Sequence, residues 1–375
     1  MLVAMHVACV VLVLFSATAS GFTRFPVPND FKPVVVEDQY LFTPGSPGEV
    51  DIYRIPITTT CPDGTTLAFA EGRKYSGGDY GSKFLALRRS KDGGSTWSVT
   101  DFVLDDDPTV DGLNLGGVVI DHLNNSVILI YVHSHKEPVI YMTKSMDWGV
   151  TWSDPVALGD RNPKLKGYSW TAGPGYGIQK KYGNNIGRLL VCGHTMSSLT
   201  RSAKCLYSDD YGYSWSIGGG VYGMPYNMSK NAGDLVPGES QIVEMDDGSL
   251  VMMSRNTYAF HCRCRIFSKS FDSGMTFPLT EVETVEQLPD PSVCGSILRH
   301  NGIMFFSGVN STTSRTNATL WWSFDGGATW PGVLPIYLNN SAYSCLTALD
   351  ENHLGLIYEK GNDGHIAFAR IRLNP

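Results

Sequence analysis

The chain has 375 residues, of which 42% are hydrophobic and 17% charged, a composition that excludes intrinsic disorder and allows one large domain or two ordinary ones. Its formal net charge of −7 gives no general electrostatic attraction to nucleic acid or to an anionic membrane. If the protein binds an anion, it must therefore do so in a local cationic pocket. The 40 glycines, with 8 Trp and 18 Tyr, favour many strands joined by tight turns.

The amino terminus predicts a signal peptide over residues 1–20. Residues 2–15 are nearly all apolar, and Ala17-Thr18-Ala19 is a small-x-small cleavage signal. No Lys or Arg precedes the apolar run, so an uncleaved membrane anchor is the alternative, but the run is short for a spanning helix and cleavage is favoured. No later segment is long and apolar enough to cross a bilayer, so we expect any membrane association to be peripheral.

N-glycosylation sequons support passage through the secretory pathway. They are at Asn124, Asn227, Asn310, Asn317 and Asn339. Seven cysteines follow the predicted signal peptide, an odd number that leaves at least one thiol free or bridged to another molecule. Their spacing leaves the pairing open, with Cys192 and Cys205 as the first candidate pair. Cys262 and Cys264 lack zinc-site spacing and are expected as a disulfide or as buried thiols.

One eight-residue pattern, Ser-x-Asp-x-Gly-x-Thr/Ser-Trp/Phe, occurs five times. The copies are residues 90–97, 145–152, 208–215, 270–277 and 323–330. In such a segment the Asp can accept backbone N–H bonds within a turn, and the Gly can take a positive φ. The Thr or Ser then returns to a strand, and the aromatic side chain packs between layers. Each copy therefore predicts a β-hairpin with a pinned tip.

The spacing of these copies predicts the architecture. Their aspartates follow one another at intervals of 55, 63, 62 and 53 residues: Asp92, Asp147, Asp210, Asp272 and Asp325. That period fits one four-stranded propeller blade per copy, and the flanking chain supplies a sixth blade closed by strands from both ends. The sequence thus predicts an all-β, six-bladed β-propeller with five Asp-box repeats, formed by residues 21–375 as one domain. The aspartates are expected to stabilise the fold rather than to bind calcium.

A second motif, Tyr53-Arg54-Ile55-Pro56, precedes the repeats. An Arg between apolar residues at a strand start can simply form a structural salt bridge. However, an Arg-Ile-Pro element ahead of a series of Asp boxes resembles the sialidase (neuraminidase) family. Further segments are similar to the animal lysosomal sialidase in particular: residues 71–74, 111–116, 187–194, 261–266 and 358–361.

The resemblance implies a site for sialic acid, whose carboxylate lies beside the scissile bond. Guanidinium groups suit a carboxylate because they form two parallel hydrogen bonds with it. Arg54, Arg255 and Arg315 match the three arginines that the family uses for this purpose. Glu359 matches the acidic residue that steadies the first of them, and Arg73 matches a further arginine near the carboxylate or the ring hydroxyls.

The catalytic residues that the resemblance implies are Tyr343, Glu239 and Asp79. An Asp or Glu nucleophile would be repelled by the carboxylate of the substrate, whereas a neutral Tyr is not, provided that a base removes its proton. Tyr343 matches the nucleophile and Glu239 its base partner. Asp79, in the Gly-rich loop Ser76-Gly-Gly-Asp79, matches the acid/base that protonates the leaving oxygen and later activates water.

The resemblance therefore implies a retaining exo-α-sialidase acting on glycoproteins and oligosaccharides, with gangliosides as a further expected substrate. It implies no metal and no other cofactor, and the sequence shows no nucleotide site. His133 and His135 have no evident third ligand and are expected to be wall or surface residues. A trans-sialidase, a non-catalytic sialic-acid-binding propeller and the propeller of a sorting receptor are the alternatives.

Acidic-pH function in the lysosome lumen also follows from the resemblance, as does escort by a serine carboxypeptidase similar to protective protein/cathepsin A. Residues 371–375, Ile-Arg-Leu-Asn-Pro, do not contain the Tyr-x-x-apolar sorting signal expected of the mammalian enzyme. Secretion through the signal peptide is therefore the alternative to the lysosome.

Overall fold

The computed structural model describes residues 31–45, 48–75, 77–106, 112–133, 138–195, 201–223, 235–257 and 262–373. Within these ranges the regular structure consists of 25 strands, one short helix, α1 (Leu158–Arg161), and two 3₁₀ turns, Pro163–Leu165 and Leu279–Glu281. The all-β class predicted from the sequence is therefore confirmed. The predicted signal peptide and Asn227 lie outside the described residues.

The strands follow one another through the sheets in chain order. After β1 (Val34–Phe42), the first sheet is made of β2 (Ile52–Thr60), β3 (Thr66–Arg73), β4 (Lys83–Ser90) and β5 (Asp101–Asp105). The second is made of β6 (Leu113–Asp121), β7 (Ser126–His133), β8 (Val139–Ser145) and β9 (Val156–Ala157). The eight residues of β3 are all buried, as in a strand covered on both faces.

Three short strands come before the third sheet: β10 (Trp170–Ala172), β11 (Gly175–Tyr176) and β12 (Ile178–Gln179). The third sheet itself contains β13 (Leu189–Thr195), β14 (Ser202–Ser208) and β15 (Ser216–Tyr222). β10 and β12 both pair with β13, whereas β11 runs parallel to β6 and so links the second and third sheets. The fourth sheet contains β16 (Pro237–Glu244), β17 (Leu250–Asn256), β18 (Cys264–Ser270) and β19 (Val282–Pro289).

A seven-stranded sheet completes the fold. It contains β1 with β20 (Ser296–His300), β21 (Ile303–Val309), β22 (Thr316–Ser323), β23 (Gly332–Asp350), β24 (His353–Lys360) and β25 (His365–Arg372). The long β23 pairs with β22 as far as Asn340 and with β24 from Ser341 onward. β1 lies antiparallel to β25, so strands from both ends of the described chain meet in this sheet.

Neighbouring sheets contact one another through their first strands. β2 contacts β6 and β23, β13 contacts β16, and β16 contacts β20, which in turn contacts β23. This gives a propeller-like arrangement in which those strands surround a common centre. The apolar core fills the spaces between successive sheets, and its largest cluster joins the first, second and last sheets through residues such as Phe69, Leu129 and Phe368.

The five repeated segments form the same hydrogen-bonded turn. In the second copy, the Asp147 carboxylate accepts bonds from the backbone N–H (2.8 Å) and the hydroxyl (2.6 Å) of Thr151. The Ser145 hydroxyl also donates to Asp147, at 2.8 Å. Gly149 follows with a φ of 83°, which a residue with a Cβ rarely adopts. The hydrogen bonds lower the pKa of Asp147 to about 2.

Asp147→Ala should lower the free energy of unfolding by about 2 kcal/mol, because three hydrogen bonds each contribute about 0.5–1.5 kcal/mol net. Because folding lowers the pKa of Asp147, the stabilisation that its carboxylate provides is complete at pH values above the ordinary pKa of a carboxyl group. This stabilisation is lost as the pH falls toward the folded-state pKa of about 2. Urea unfolding of the variant beside Asp154→Ala, an exposed carboxylate outside the turn, measures the difference. Equal stability of the two variants at pH 7 would contradict the expectation.

The cysteines divide into two bridges and three buried thiols in the described part of the chain. Cys192 and Cys205 occupy paired positions on β13 and β14 and form a disulfide, which confirms that predicted pairing. Cys262 and Cys264 form a second one. The buried thiols are Cys61, Cys294 and Cys345.

Four of the five sequon asparagines lie in the described part of the chain. Asn124, Asn310 and Asn339 are exposed and Asn317 is half-buried, so their glycosylation stays a prediction compatible with the fold. Among the described residues, no helix combines the length and the apolar character needed to span a bilayer.

Candidate active site

Three strands that face the centre are irregular at the residues that the sequence singles out. The strand register shifts between Arg54 and Ile57 on β2, between Pro237 and Ser240 on β16, and between Ser341 and Ser344 on β23. Such bulges re-aim side chains and are frequent beside active sites. Here they set the directions of Arg54, Glu239 and Tyr343 at one end of the fold.

Tyr343 and Glu239 form a direct hydrogen-bonded pair. The Tyr343 hydroxyl donates to Glu239 Oε1 at 2.5 Å. Arg255, on β17, donates from Nη1 to Glu239 Oε2 at 2.7 Å and to Tyr343 Oη at 3.0 Å. A phenol that is hydrogen-bonded to a carboxylate and to a guanidinium is arranged as a nucleophile with its base.

The protonation states of this pair follow from burial and charge. Burial, with the negative charge of Glu239 adding to it, raises the pKa of Tyr343 well above its ordinary value. Burial also acts to raise the pKa of Glu239, but the charges of Arg255 and His194 and the hydrogen bond from Tyr343 outweigh it, so this pKa is lowered. The resting pair is therefore a neutral phenol and an ionised carboxylate. In this resting state the proton therefore stays on the Tyr343 oxygen.

Two further arginines lie against the Tyr343 ring. The guanidinium carbons of Arg54 and Arg315 are each 5.6 Å from the ring centroid. Together with Arg255, they place three cations around one phenol. Arg315 donates to the Ser292 carbonyl at 3.1 Å, and no carboxylate among the described residues pairs with it. The group therefore has room for a carboxylate from a ligand.

Glu359 fixes the first of these arginines. Its Oε1 accepts from Arg54 Nε at 2.6 Å and from the backbone N–H of Ile55 at 3.1 Å. Its Oε2 accepts from the backbone N–H of Tyr343 at 3.3 Å. Burial would lower the pKa of Arg54, but the adjacent Glu359 carboxylate more than offsets this, so the pKa is raised and the guanidinium stays charged. Glu359 thus links the Arg54 strand to the strand that carries Tyr343, the contact predicted for it.

Two cavities adjoin the pair. One, of about 200 Å³, is lined by Arg54, Arg315 and Glu359, and the other, of about 220 Å³, by Glu239, Arg255 and His194. A further cavity, of about 560 Å³, contains Glu244 and Thr347 among its lining residues. Since Glu244 follows Glu239 by five residues on β16, this cavity lies about 16 Å along the strand at the opposite end of the fold. We assign the chemistry to the smaller cavities because they adjoin the reactive pair.

Asp79 lies in the loop between β3 and β4, with 72% of its side chain exposed. Arg73 Nη2 donates to its carboxylate at 3.1 Å. Burial acts to raise the pKa of Asp79, but Arg73, and to a smaller degree Arg54 and Lys83, outweigh it, so the pKa is lowered. Glu71 near the end of β3 pairs with Arg54 on β2, so the loop that follows β3 and carries Asp79 lies at the same end of the fold as the Tyr343 pair.

Arg73 is bound closely by the protein. Only 2% of the residue is exposed, and besides Asp79 its guanidinium donates to Glu71 and to two carbonyls of the loop, those of Gly77 and Gly78. The strand pattern alone does not reveal these contacts, because the direction of a strand side chain depends on register. Contact between Arg73 and a ligand stays a prediction.

Sequence reasoning missed Ser292. Its hydroxyl accepts from Arg255 Nε at 3.2 Å and Nη2 at 3.0 Å, and its carbonyl accepts from Arg315. Its φ of 65° is unusual for a residue with a Cβ and turns both groups toward the two arginines. No local pattern around Asp290-Pro-Ser292 signals this, because both partners are distant in sequence.

In the ranges that the structure describes, no group of three or more His, Cys, Asp or Glu side chains has the geometry to hold a metal ion. His133 belongs to β7, and His135 lies outside the described residues.

Comparison with known proteins identifies the family. A family model described as a BNR repeat-like domain matches residues 31–356, which is most of the chain. Over 389 aligned residues that cover 96% of the chain, it is 29% identical to a sialidase of Micromonospora viridifaciens. The chain belongs to the BNR repeat-like sialidase family. It spans 57% of the length of that Micromonospora sialidase.

Solved structures of sialidases share the fold. The Hadza microbial sialidase Hz136 superimposes with a TM-score of 0.72 and 23% identity, over 86% of this chain and 66% of that one. A leech intramolecular trans-sialidase, solved in complex with 2,7-anhydro-Neu5Ac, gives a TM-score of 0.70 and 19% identity, over 90% of this chain and 70% of that one. At these identities, the likeness concerns the fold of the sialidase family.

Proposed function

We propose that this member of the sialidase family is a retaining exo-α-sialidase that releases terminal sialic acids from glycoproteins and oligosaccharides, and also from gangliosides. The observation that carries the proposal is the Tyr343–Glu239 pair beneath three arginines. A fixed carboxylate beside the scissile bond is the substrate feature that this charge arrangement suits, and a neutral phenol is the nucleophile that tolerates it.

The reaction proceeds in two displacements. The substrate carboxylate binds Arg54, Arg255 and Arg315, and the Tyr343 oxygen attacks the anomeric carbon as Glu239 accepts the phenol proton. The bond to the leaving oxygen breaks as the Asp79 carboxyl gives that oxygen its proton. The Asp79 carboxylate then takes a proton from water, which attacks the anomeric carbon as the bond to the Tyr343 oxygen breaks and that oxygen takes its proton back from Glu239. Two inversions give net retention.

The pH dependence of kcat/KM follows from the two carboxyl groups. Glu239 must be ionised, so kcat/KM rises as the pH rises through its pKa, which lies below its ordinary value. Asp79 must be protonated, so kcat/KM falls as the pH rises through its pKa, which is also lowered. We expect a maximum in the acidic range with a decline of about tenfold per pH unit above it. Initial rates with 3′-sialyllactose measure this, and a profile flat up to pH 7 would contradict it.

Transfer of sialic acid to another hydroxyl group is the second candidate function. One structural neighbour is named an intramolecular trans-sialidase, and transfer uses the same covalent intermediate as hydrolysis. Hydrolysis and transfer differ only in the second displacement, in which the attacking group is either water or a hydroxyl group of the acceptor. A non-catalytic sialic-acid-binding propeller is the third candidate, and it would need the arginines alone.

One assay separates these functions. We expect the purified protein to hydrolyse 4-methylumbelliferyl sialoside at acidic pH and to yield free sialic acid, with little change in product when lactose is added. Sialyllactose formed at the expense of free acid would indicate a trans-sialidase, and 2,7-anhydro-sialic acid an intramolecular one. Binding of sialyllactose without turnover, by glycosylated protein with the escort carboxypeptidase supplied, would leave only a binding protein.

We propose six blades, with β23 shared between two of them, because its halves pair with different strands. The turns in the repeats support the Asp-box assignment. We also propose that residues 21–375 form one domain.

We further propose that the protein is close to the animal lysosomal sialidase. Its destination would be the lysosome lumen or secretion, and its partner a cathepsin A-like carboxypeptidase. The signal-like amino terminus and the sequons support entry into the secretory pathway. Loss of mass on treatment with peptide-N-glycosidase tests that entry.

A further inference from the structure

Two buried cations hold the loop that carries Asp79. Arg73 Nη1 donates to the carbonyl of Gly77 at 2.5 Å and to that of Gly78 at 2.8 Å. Lys83 Nζ donates to the carbonyl of Asp79 at 2.7 Å. Three consecutive loop carbonyls are therefore bound, each by a charged donor. Charge-assisted hydrogen bonds are shorter and stronger than neutral ones, so they restrain a backbone that glycines would otherwise leave free.

Glu71 balances these cations and ties them to a neighbouring strand. Its Oε2 accepts from Arg73 Nε at 3.0 Å and Nη2 at 2.9 Å, and lies 3.6 Å from Lys83 Nζ. Its Oε1 accepts from the backbone N–H of Leu115 on β6 at 2.8 Å. The Asn114 side chain on β6 accepts from Lys83 at 2.8 Å. These contacts anchor the loop to the strands β3, β4 and β6.

Removing an ammonium group from water costs free energy, so a fully buried lysine needs hydrogen bonds or an opposite charge to compensate for its desolvation. Lys83 has no exposed surface, and burial lowers its pKa even though Glu71 acts against this. Two of its three partners, the ion-paired Glu71 and the acceptor Asn114, serve to tie strands together. The third is the backbone of the residue that would donate the catalytic proton.

We propose that Lys83, acting with Arg73, is a positioning residue that fixes the backbone of residues 77–79 so that the Asp79 carboxyl reaches the leaving oxygen. The inference rests on the proposed function, since it assigns Asp79 the role of acid. It also gives Arg73 a role in holding the loop, beside the substrate contact predicted for it. Lys83 itself touches neither the substrate nor the reacting atoms.

The test compares kcat/KM across sialosides whose leaving groups differ in basicity. A good leaving group such as 4-nitrophenol departs with little protonation, whereas the hydroxyl group of lactose needs the acid. Lys83→Met should lower kcat/KM for 3′-sialyllactose by about 10- to 100-fold, since a well-placed acid contributes about 10²–10⁴-fold. For the 4-nitrophenyl sialoside, the loss should stay below about threefold, because the acid contributes little there. Lys83→Arg, which keeps the charge and the donors, should recover part of the difference.

Lys180 provides the matched control. It is also a buried lysine, and its Nζ donates to Glu244 at 2.7 Å and to the Gly248 carbonyl at 2.9 Å, near the cavity at the opposite end of the fold. Lys180→Met therefore carries a similar folding cost without touching the Asp79 loop. It should lower the rates of both substrates by the same factor. If Lys83→Met does the same, the positioning role is overturned.

Amide hydrogen exchange separates failure of this inference from failure of the proposed function. Peptides containing residues 77–81 should exchange at least about tenfold faster in Lys83→Met than in the wild type and in Lys180→Met, because a restraint on the loop is lost. Protection that is unchanged in Lys83→Met overturns the restraint, whatever the activity. If the wild type hydrolyses no sialoside while exchange responds as expected, the restraint stands and the proposed function fails. Should Lys83→Met not fold, Lys83→Gln, which keeps one donor group, takes its place in both measurements.

Discussion

Tyr343→Phe should lower kcat by at least about 10³-fold, because removal of a nucleophile that acts together with its base eliminates most of the catalytic effect. The Phe ring can keep its position against Arg54 and Arg315, so the carboxylate site should persist. We therefore expect the dissociation constant of a competitive sialic-acid analogue to change by less than about fivefold. If Tyr343 is the nucleophile, the variant should lose turnover but still bind the analogue.

Tyr176→Phe is a suitable control for this variant. Tyr176 is partly buried, and its hydroxyl donates to the carbonyl of Ile297, beside the cavity that Glu244 lines rather than beside Glu239. Both variants lose one hydrogen-bonded hydroxyl group, so their stabilities should fall by similar amounts of about 1 kcal/mol. Only Tyr343→Phe should lose turnover. A Tyr343→Phe enzyme within tenfold of wild-type kcat would show that another group attacks the substrate.

Arg255→Met should lower kcat/KM by about 10³-fold, because Arg255 serves two parts of the site. It would bind the substrate carboxylate, and it donates to both Glu239 and Tyr343. Without this cation the largest opposing contribution to the burial of Glu239 is lost, so the pKa of Glu239 should rise. Since kcat/KM increases as Glu239 ionises, the acidic limb of the pH profile should move to higher pH. Arg255→Lys, which lacks the planar fork, should lose about 10²-fold and shift the limb less.

The control for Arg255 is Arg188→Met. Arg188 is buried and pairs with Asp209 through two hydrogen bonds of 2.7 and 2.8 Å, in a part of the fold that lines neither site cavity. Its loss should reduce stability without moving the acidic limb. Rate profiles between pH 3 and 7 for the two variants make the comparison. An unmoved limb in Arg255→Met would contradict the role that the contacts give to Arg255.

Local chemistry made much of the fold predictable. The turn at Asp147 closes within four residues on Thr151, so its hydrogen bonds depend on little beyond the segment itself. The same holds for the other copies, and their spacing indicates the size of each sheet. The five repeats account for five blades and leave residues at both ends of the sequence to form a sixth. The pairing of β1 with β25 could therefore be expected.

The site depends on contacts that no local pattern contains. Arg54 and Glu359 are 305 positions apart, and the resemblance to a family, not the spacing, suggested their contact. The bulges that turn Arg54 and Tyr343 inward depend on the pairing strands, so they cannot be read from one segment. For the same reason the sequence did not reveal that Arg73 faces the loop or that Lys83 supports it.

Covalent trapping tests the central claim, that Tyr343 is the nucleophile of a retaining sialidase, most directly. The wild-type protein would be incubated with 2,3-difluorosialic acid at acidic pH and examined by intact-mass and peptide mass spectrometry. We predict one adduct per chain, on the peptide that contains Tyr343, absent from Tyr343→Phe and slowly lost as turnover resumes. An adduct on Glu239, Asp79 or any other residue, or no adduct from protein that hydrolyses sialosides, would contradict the account.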